Sequence, residues 1–261
     1  IMRILITGAK GMVAKAVKRT FSETGDDVFA LEREELDIAD KENVSKIVSS
    51  INPDAIINCA AYTNVDACEA HQEECFASNF DGVRNLAQSA KEQGSILLTI
   101  STDYIFDGDK EGFYDEFDNV NPLSVYGQAK YEGEKIATKI NPESIILRTG
   151  WVFGGGGTNF LSVMPKLLAE GKKIKVVKDS FGTPTYAVDL ANRVRELVLR
   201  KESGIFHVAN SGEGTSYVGF AEKICMIGNF DTNLIEGISE AELSRPAPRP
   251  TNSRLACLRA E

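Results

Sequence analysis

The stretch VYGQAKYEGE, residues 125–134, sets Tyr126 and Lys130 four apart in helix-forming sequence. That spacing puts both side chains on one helix face, about one turn apart. A free tyrosine titrates near ~10, too high for easy proton exchange at neutral pH. An ammonium about 4 Å away at an effective dielectric of about 20 favours the phenolate by roughly 4 kcal/mol, bringing the titration down by about three pH units. Such a tyrosine serves as a general acid or base. The same spacing also arises when a packed tyrosine sits beside a solvated lysine, so the pair needs company. ISTDYIFDG supplies it: Thr102 falls where a strand would end, with its hydroxyl placed to hydrogen-bond a carbonyl oxygen at the carboxyl edge of a sheet. Strand-end Ser and Thr are also common helix caps. With only His71 and His207 in the chain, a Ser/His/Asp arrangement has little to draw on.

A second cluster opens the chain. ILITGAKGMVA places Gly8 and Gly11 after an apolar run and at the mouth of a helix, with Ala14 at the third position of the fingerprint. Glycine lets the backbone turn tightly and approach a pyrophosphate, whose charge the free N–H groups of the helix start then meet. An ordinary strand-to-helix turn has the same look, but here it lies in a βαβ pattern. Glu32 ends the second strand about 20 residues on, where an acid holds a ribose 2′-hydroxyl. The adjacent Arg33 could instead meet a 2′-phosphate, which leaves NADH and NADPH both open. Asp37 and Ile38 in ELDIAD are placed to lie near an adenine edge. The small residues of NCAAYT, Ala60 and Ala61 among them, suit a close backbone approach or a close-packed strand end.

These residues need a frame. Apolar, β-branched runs at RILIT, DVFAL, AIINC, SILLTIS, SIILRTGWVF, KIKVV and GIFHVAN alternate with helix-period segments at 11–24, 40–51, 124–140, 159–170 and 187–201. Strand and helix in succession predict a doubly wound α/β fold, a parallel sheet with helices on both faces. Several runs are apolar throughout, as strands covered on both faces are. Asp40 is placed to cap the helix at 41–51. After about residue 204 the pattern loosens into Gly, Pro and Arg, which reads as part of a smaller, substrate-facing domain.

Composition narrows the ligand. The 261 residues are 43% hydrophobic, enough for a large core, and 38 acidic against 29 basic side chains give a net charge of −9. That balance argues against a nucleic-acid or anionic-membrane surface and for a small molecule. No apolar run reaches the ~18 residues of a membrane span and no signal-peptide pattern is present, so a cytoplasmic protein starting at Met2 is expected. Five cysteines, an odd number, fit thiols in a reducing compartment. In CEAHQEEC, a continuous helix would hold Cys68 and Cys75 roughly 10 Å apart, too far to share a zinc with His71. No metal site is expected, with a Mg2+ requirement left open.

The combination resembles the extended short-chain dehydrogenase/reductases, and within them the dTDP-4-dehydrorhamnose reductase family, over nearly the whole chain. PDAIINCAAYTNVDACE, STDYIFDG, PLSVYGQAKYEGE, RTGWVFG, DSFGTPTYAVDLA, GIFHVAN and RPAPRP carry the resemblance. It implies a Rossmann domain of residues 1–149 plus about 174–203, and a smaller sugar-nucleotide-binding domain of about 150–173 plus 204–261. It implies hydride transfer from NADPH or NADH to C4 of dTDP-4-dehydro-L-rhamnose, within dTDP-rhamnose and polysaccharide biosynthesis, by a monomer or homodimer. Tyr126 would donate the proton, Lys130 would lower its pKa and hold the nicotinamide ribose, and Thr102 would hydrogen-bond the same oxygen. Asp103 and Trp151 match sugar-pocket positions. Gly8, Lys10, Gly11, Met12, Asp37, Ile38, Ala61, Tyr62, Thr63, Tyr126 and Lys130 match cofactor positions, and Asn79 matches an asparagine that orders the active site.

Two features depart from the family pattern. Glycines 154–157 stand where more side chain is usual and, lacking Gly-Lys-Ser/Thr, read as a flexible rim and not a phosphate loop. The chain ends soon after RPAPRPTNSRL, where the resemblance implies a further helical segment. Three rival readings accompany it. A sugar-nucleotide dehydratase would carry Thr-Asp-Glu where this chain has Thr102-Asp103-Tyr104, so the carboxylate for removing water is missing. An epimerase shares the Thr/Tyr/Lys set, and only the branch-specific motifs argue against it. A non-catalytic regulatory subunit, resembling the β subunit of methionine adenosyltransferase, keeps Tyr-x3-Lys but departs at the positions of Thr102, Asp103 and Trp151.

Overall fold

A computed structural model describes residues 1–259. The first half of the chain runs β1 (Arg3–Thr7), α1 (Met12–Ser22), β2 (Asp27–Leu31), α2 (Lys41–Ile51), β3 (Ala55–Asn58), α3 (Val65–Ala70), α4 (Gln72–Phe76), α5 (Gly82–Gln93), β4 (Ile96–Thr102) and α6 (Val125–Ile140). The second runs β5 (Ile145–Thr149), β6 (Val152–Phe153), α7 (Phe160–Ala169), β7 (Ile174–Val177), β8 (Phe181–Gly182), β9 (Thr185–Tyr186), α8 (Ala187–Leu199), β10 (Gly204–His207), β11 (Thr215–Ser216), α9 (Tyr217–Gly228) and β12 (Ile235–Ile238).

Six strands form one parallel sheet in the order β2-β1-β3-β4-β5-β10. Alternate residues of each strand point to opposite faces. Ile4, Ile6 and Ile57 therefore pack with α1 and α8, while Leu5, Ile56 and Leu97 pack with α2 and α5. Full burial of each such side chain contributes about 1.5–3 kcal/mol, and double coverage explains why these strands are apolar throughout. β1 lies between β2 and β3, so the winding reverses there, and the crevice at that reversal is where open α/β sheets hold ligands. Asp40 caps α2 as its position predicts, accepting from the N–H groups of Glu42 and Asn43.

A smaller lobe packs α7 and α9 around Met164, Leu168, Ala221 and Ile224, with β7 beside β12. Two strands lie across the expected division of the chain. β7 belongs to the small lobe because Ile174 and Val176 pack against its helices, whereas β10 joins the main sheet through Phe206.

The polar stretch after β3 is not one continuous helix. His71 takes φ −123°, ψ 56° between α3 and α4, and a π-turn follows at residues 77–81. The break overturns the 10 Å separation expected of a straight helix: Cys68 and Cys75 meet, with the Cys68 thiol hydrogen-bonded to Cys75. Burial pushes both thiols up. No disulfide joins cysteines among the described residues. The π-turn aims Asn79 inward, where it is 1% exposed. Its amide accepts from Tyr62 N–H and donates to Tyr62 C=O, each at 3.0 Å, fixing the loop after β3. π-turns inside helical stretches often mark functional sites.

Candidate active site

The site is built from the carboxyl ends of β1, β3 and β4. Thr7 donates to Asn58 Oδ1 at 2.7 Å and accepts from Ala60 N–H at 3.2 Å, tying the first two ends together. Gly8 then turns out at φ +68°, and a Cβ there would lie 2.8 Å from Ala60 Cα. Gly11 precedes α1 with no side chain capping the first N–H groups. A backbone cradle that only glycine leaves open, beside an uncapped helix start, fits the pyrophosphate of a dinucleotide. Gly8→Ala is expected to weaken NADPH binding at least tenfold in calorimetric titration and to cost about 1–3 kcal/mol of stability, from the left-handed backbone and the overlap with Ala60. Wild-type NADPH affinity in that variant would remove this turn from the cofactor site.

Around this turn, Lys10 pairs with Glu32 at 2.8 Å and Glu34 at 3.1 Å, and Arg33 reaches Asp37 at 3.4 Å. Hydrogen bonding to Glu32, then to Glu34, raises Lys10. An acid suited to a ribose hydroxyl and cations suited to a phosphate thus stand together at the end of β2. Of the pair expected near an adenine, Asp37 stays at the surface, while the Ile38 side chain turns into the core against Gly82. Ala60, Ala61, Tyr62 and Thr63 form the loop that Asn79 holds. The glycine run closes over the start of α1: Lys15 Nζ donates to Gly156 C=O at 2.8 Å, and Asn159 Nδ2 reaches Met12 Sδ at 3.3 Å.

Thr102 ends β4 opposite Thr149 of β5. Its hydroxyl accepts from Tyr104 N–H at 3.1 Å and donates to Asp103 Oδ1 at 3.2 Å. Tyr126 hydrogen-bonds the Thr102 side chain from the first turn of α6. α6 reaches this close because Gly127 lies against the Tyr104 carbonyl and Gly133 against the Asn79 carbonyl, where any Cβ would overlap. Below, Ser101 Oγ donates to Glu134 Oε1 at 2.5 Å, and Glu134 pairs with the buried Arg148 at 2.7 Å, fastening the helix to β4 and β5.

Lys130 does not act on Tyr126 as the spacing suggests. Its Nζ donates to the Ile100 carbonyl at 2.6 Å. Burial pushes the Tyr126 phenol up, the Thr102 hydrogen bond opposes this in part, and the Asp103 charge adds to it. Burial also takes Lys130 down to about 8, against the pull of Glu134. The expected lowering of the phenol is therefore overturned: the ammonium is turned to a carbonyl, and desolvation dominates. At neutral pH Tyr126 carries its proton, the form a donor requires.

A cavity of about 260 Å³ opens onto Thr102, Asp103 and Tyr126, walled by Val13, Val65, Tyr104, Trp151 and Tyr217. Trp151, at φ +49°, stacks on Tyr217 with 3.8 Å between ring centroids. Tyr104 meets Tyr126 edge to face at 6.1 Å. Aromatic walls over a polar floor suit a ligand with a flat apolar face and directed hydroxyls. Larger hollows, such as one of about 810 Å³ beside α1 and α8, contain none of the reactive groups. Tyr104, Val65 and Tyr217 are pocket residues that the sequence reading passes over. Tyr104 was visible only as a departure from another motif, and Tyr217 lies in the stretch where periodicity fades. His207 is a core residue on β10, its imidazole held by the carbonyls of Tyr114 and Ala256. Among the described residues no three His, Cys, Asp or Glu cluster as metal ligands, and no helix is long and apolar enough to cross a membrane.

The family model of the RmlD substrate binding domain matches residues 2–261. A dTDP-4-dehydrorhamnose reductase of Aggregatibacter actinomycetemcomitans is 39% identical, over 97% of this chain and 90% of its own. The crystal structure of a dTDP-4-dehydrorhamnose reductase from Bacillus anthracis, in complex with NADP, superposes with a TM-score of 0.95 at 36% identity, covering 98% of this chain and 90% of that one. A Thermus thermophilus UDP-glucose 4-epimerase, 20% identical over 99% of this chain and 92% of its own, shares the fold with a TM-score of 0.83. The matched length and the identity to these reductases agree: the chain belongs to the dTDP-4-dehydrorhamnose reductase family.

Proposed function

We propose that this chain reduces the C4 keto group of dTDP-4-dehydro-L-rhamnose with NADPH or NADH, giving dTDP-L-rhamnose, and that Tyr126 delivers the proton. The observation that carries the reading is the hydrogen-bonded Thr102 and Tyr126 pair on the floor of a small aromatic-walled cavity, with Val13 of the dinucleotide-type helix in its wall. The relatives' names and the NADP-bound neighbour support the sugar nucleotide and the cofactor.

Gly8, Gly11 and Met12 would hold the pyrophosphate, Glu32, Arg33 and Lys10 the adenine ribose, and Lys130 the nicotinamide ribose. NADPH or NADH bound there would supply the hydride. A ketone oxygen seated beside the Thr102 and Tyr126 hydroxyls would accept a hydrogen bond from Tyr126. As negative charge grows on that oxygen, the phenol passes its proton to it. The Lys130 ammonium, held on the Ile100 carbonyl, would serve the reaction by holding the nicotinamide ribose and not by lowering the phenol. Trp151 and Tyr217 exclude water and present a flat surface to the sugar.

The test is oxidation of NADPH and of NADH in the presence of dTDP-4-dehydrorhamnose, with the product identified by NMR. Turnover to dTDP-L-rhamnose is the expected result. A protein that binds cofactor in a thermal-shift assay yet leaves this sugar unreduced would overturn the substrate assignment.

A further inference from the structure

Ser253 lies in the loop-rich C-terminal segment and is not among the residues that line the catalytic cavity, yet its side chain reaches the end of β4. We propose that Ser253 is a positioning residue for the reduction: its hydroxyl, donated to Asp103 Oδ2 at 2.5 Å, fixes the Asp103 carboxylate so that the other oxygen orients the Thr102 hydroxyl beside Tyr126. The inference rests on the reductase reading given above.

Asp103 and Ser253 are each only 3% exposed, and burial strengthens the hydrogen bond between them. Gly150, just after β5, presses on the carboxylate, where a Cβ would overlap the carboxyl carbon. Ser253 is placed independently of Asp103: its N–H donates to Phe181 C=O, and Phe181 N–H donates to Thr251 C=O, both at 2.8 Å. The hydroxyl thus arrives on a backbone ladder, already aimed.

Burial raises Asp103 to about 6, and the Ser253 hydroxyl is the largest influence opposing that rise. The other ionisable groups facing Asp103 are Tyr104 from its own turn, Tyr126 of α6 and Tyr217 of α9. The charge of Asp103 raises all three. Arg245, Arg249 and Glu240 stand farther out around Tyr104. Only the carboxylate form accepts from both hydroxyls, and it keeps Tyr126 protonated for donation. Activity from this group is therefore present above the pKa of Asp103 and lost as pH falls through it. Without Ser253 that loss moves to higher pH.

The experiment compares kcat/KM against pH for wild type, Ser253→Ala and Ser253→Thr, alongside NADPH affinity and carboxyl 13C NMR of Asp103. Ser253→Ala is expected to lose about fivefold at the pKa of Asp103 and about tenfold well below it, to approach wild type about two pH units higher, and to bind NADPH normally. Ser253→Thr, which keeps the donor, restores the wild-type profile. The Asp103 carboxyl midpoint rises by about one pH unit in Ser253→Ala. A uniform loss at every pH with an unmoved carboxyl midpoint would reduce Ser253 to a packing residue and overturn the proposal, as would an unchanged profile. If Ser253→Ala does not fold, Ser253→Cys keeps the volume with a weaker donor, and its carboxyl midpoint must still rise. The NMR titration needs no turnover, so a wild type inactive on this sugar would sink the reductase reading while the Asp103 and Ser253 linkage is judged separately.

Discussion

Tyr126→Phe is expected to lower turnover by about 10²- to 10⁴-fold, the usual worth of a positioned general acid, while NADPH binds as before. The ring of Tyr126 packs with Cys68, Cys75 and Ala129 and meets Tyr104 at its edge, and phenylalanine preserves those contacts. What disappears is one hydroxyl and its hydrogen-bond contact with Thr102. Loss of a single buried hydrogen bond costs about 0.5–1.5 kcal/mol, so the variant should remain folded in a urea melt. Single-turnover rates with dTDP-4-dehydrorhamnose separate chemistry from product release. A variant within tenfold of wild type would move proton donation away from Tyr126.

Lys130→Met should produce the opposite pairing, an inactive protein that is harder to unfold. An ordinary lysine binds its proton up to about 10.4, whereas burial holds Lys130 down to about 8. Keeping the ammonium in the folded protein at neutral pH therefore costs about 3 kcal/mol. Methionine fills similar space without the charge but leaves the Ile100 carbonyl without its donor. The net expectation is a gain of about 1–2 kcal/mol at pH 7, with kcat/KM down at least about 10²-fold. Between the folded and unfolded pKa values the unfolded chain binds more protons, so wild-type stability from this group rises with pH across that window. The gap between variant and wild type should narrow as pH climbs from about 8 to about 10.4 in paired urea melts. Over the same range the wild-type reduction rate falls as the ammonium is lost. A variant less stable than wild type at neutral pH would show that the hydrogen bond to Ile100 outweighs the buried charge.

Much of this architecture is legible before folding because its signals are local. Apolar runs such as RILIT and AIINC, with helix-period segments between them, prescribe a covered parallel sheet, and Asp40 announces the start of α2. Gly8, Thr102 and Tyr126 are legible because each sits at a fixed offset from an element boundary. Long-range geometry is not written that way. The reach of Lys130 to Ile100 depends on how α6 settles against β4, and Gly127 and Gly133 govern that settling through contacts with Tyr104 and Asn79. A spacing of four residues places two side chains on one face but does not say which partner each will choose. The same limit applies to Cys68 and Cys75, where one residue outside helical geometry, His71, undoes an inference from rise per residue. Ser253 is 150 residues from Asp103 along the chain, a separation that no periodicity can bridge.

Trp151 is the sole tryptophan of the chain, and it stacks on Tyr217 in the wall of the cavity over Thr102 and Tyr126. Its indole emission is therefore a signal from one place. A sugar ring entering the cavity changes the surroundings of that fluorophore and of no other, so intensity or wavelength reports occupancy without a label. During refolding the same light marks the moment when the small lobe docks on the sheet, because Tyr217 belongs to α9 and Trp151 follows β5. Sheet formation, followed by circular dichroism, and site assembly, followed by fluorescence, can thus be timed against each other in one unmodified protein.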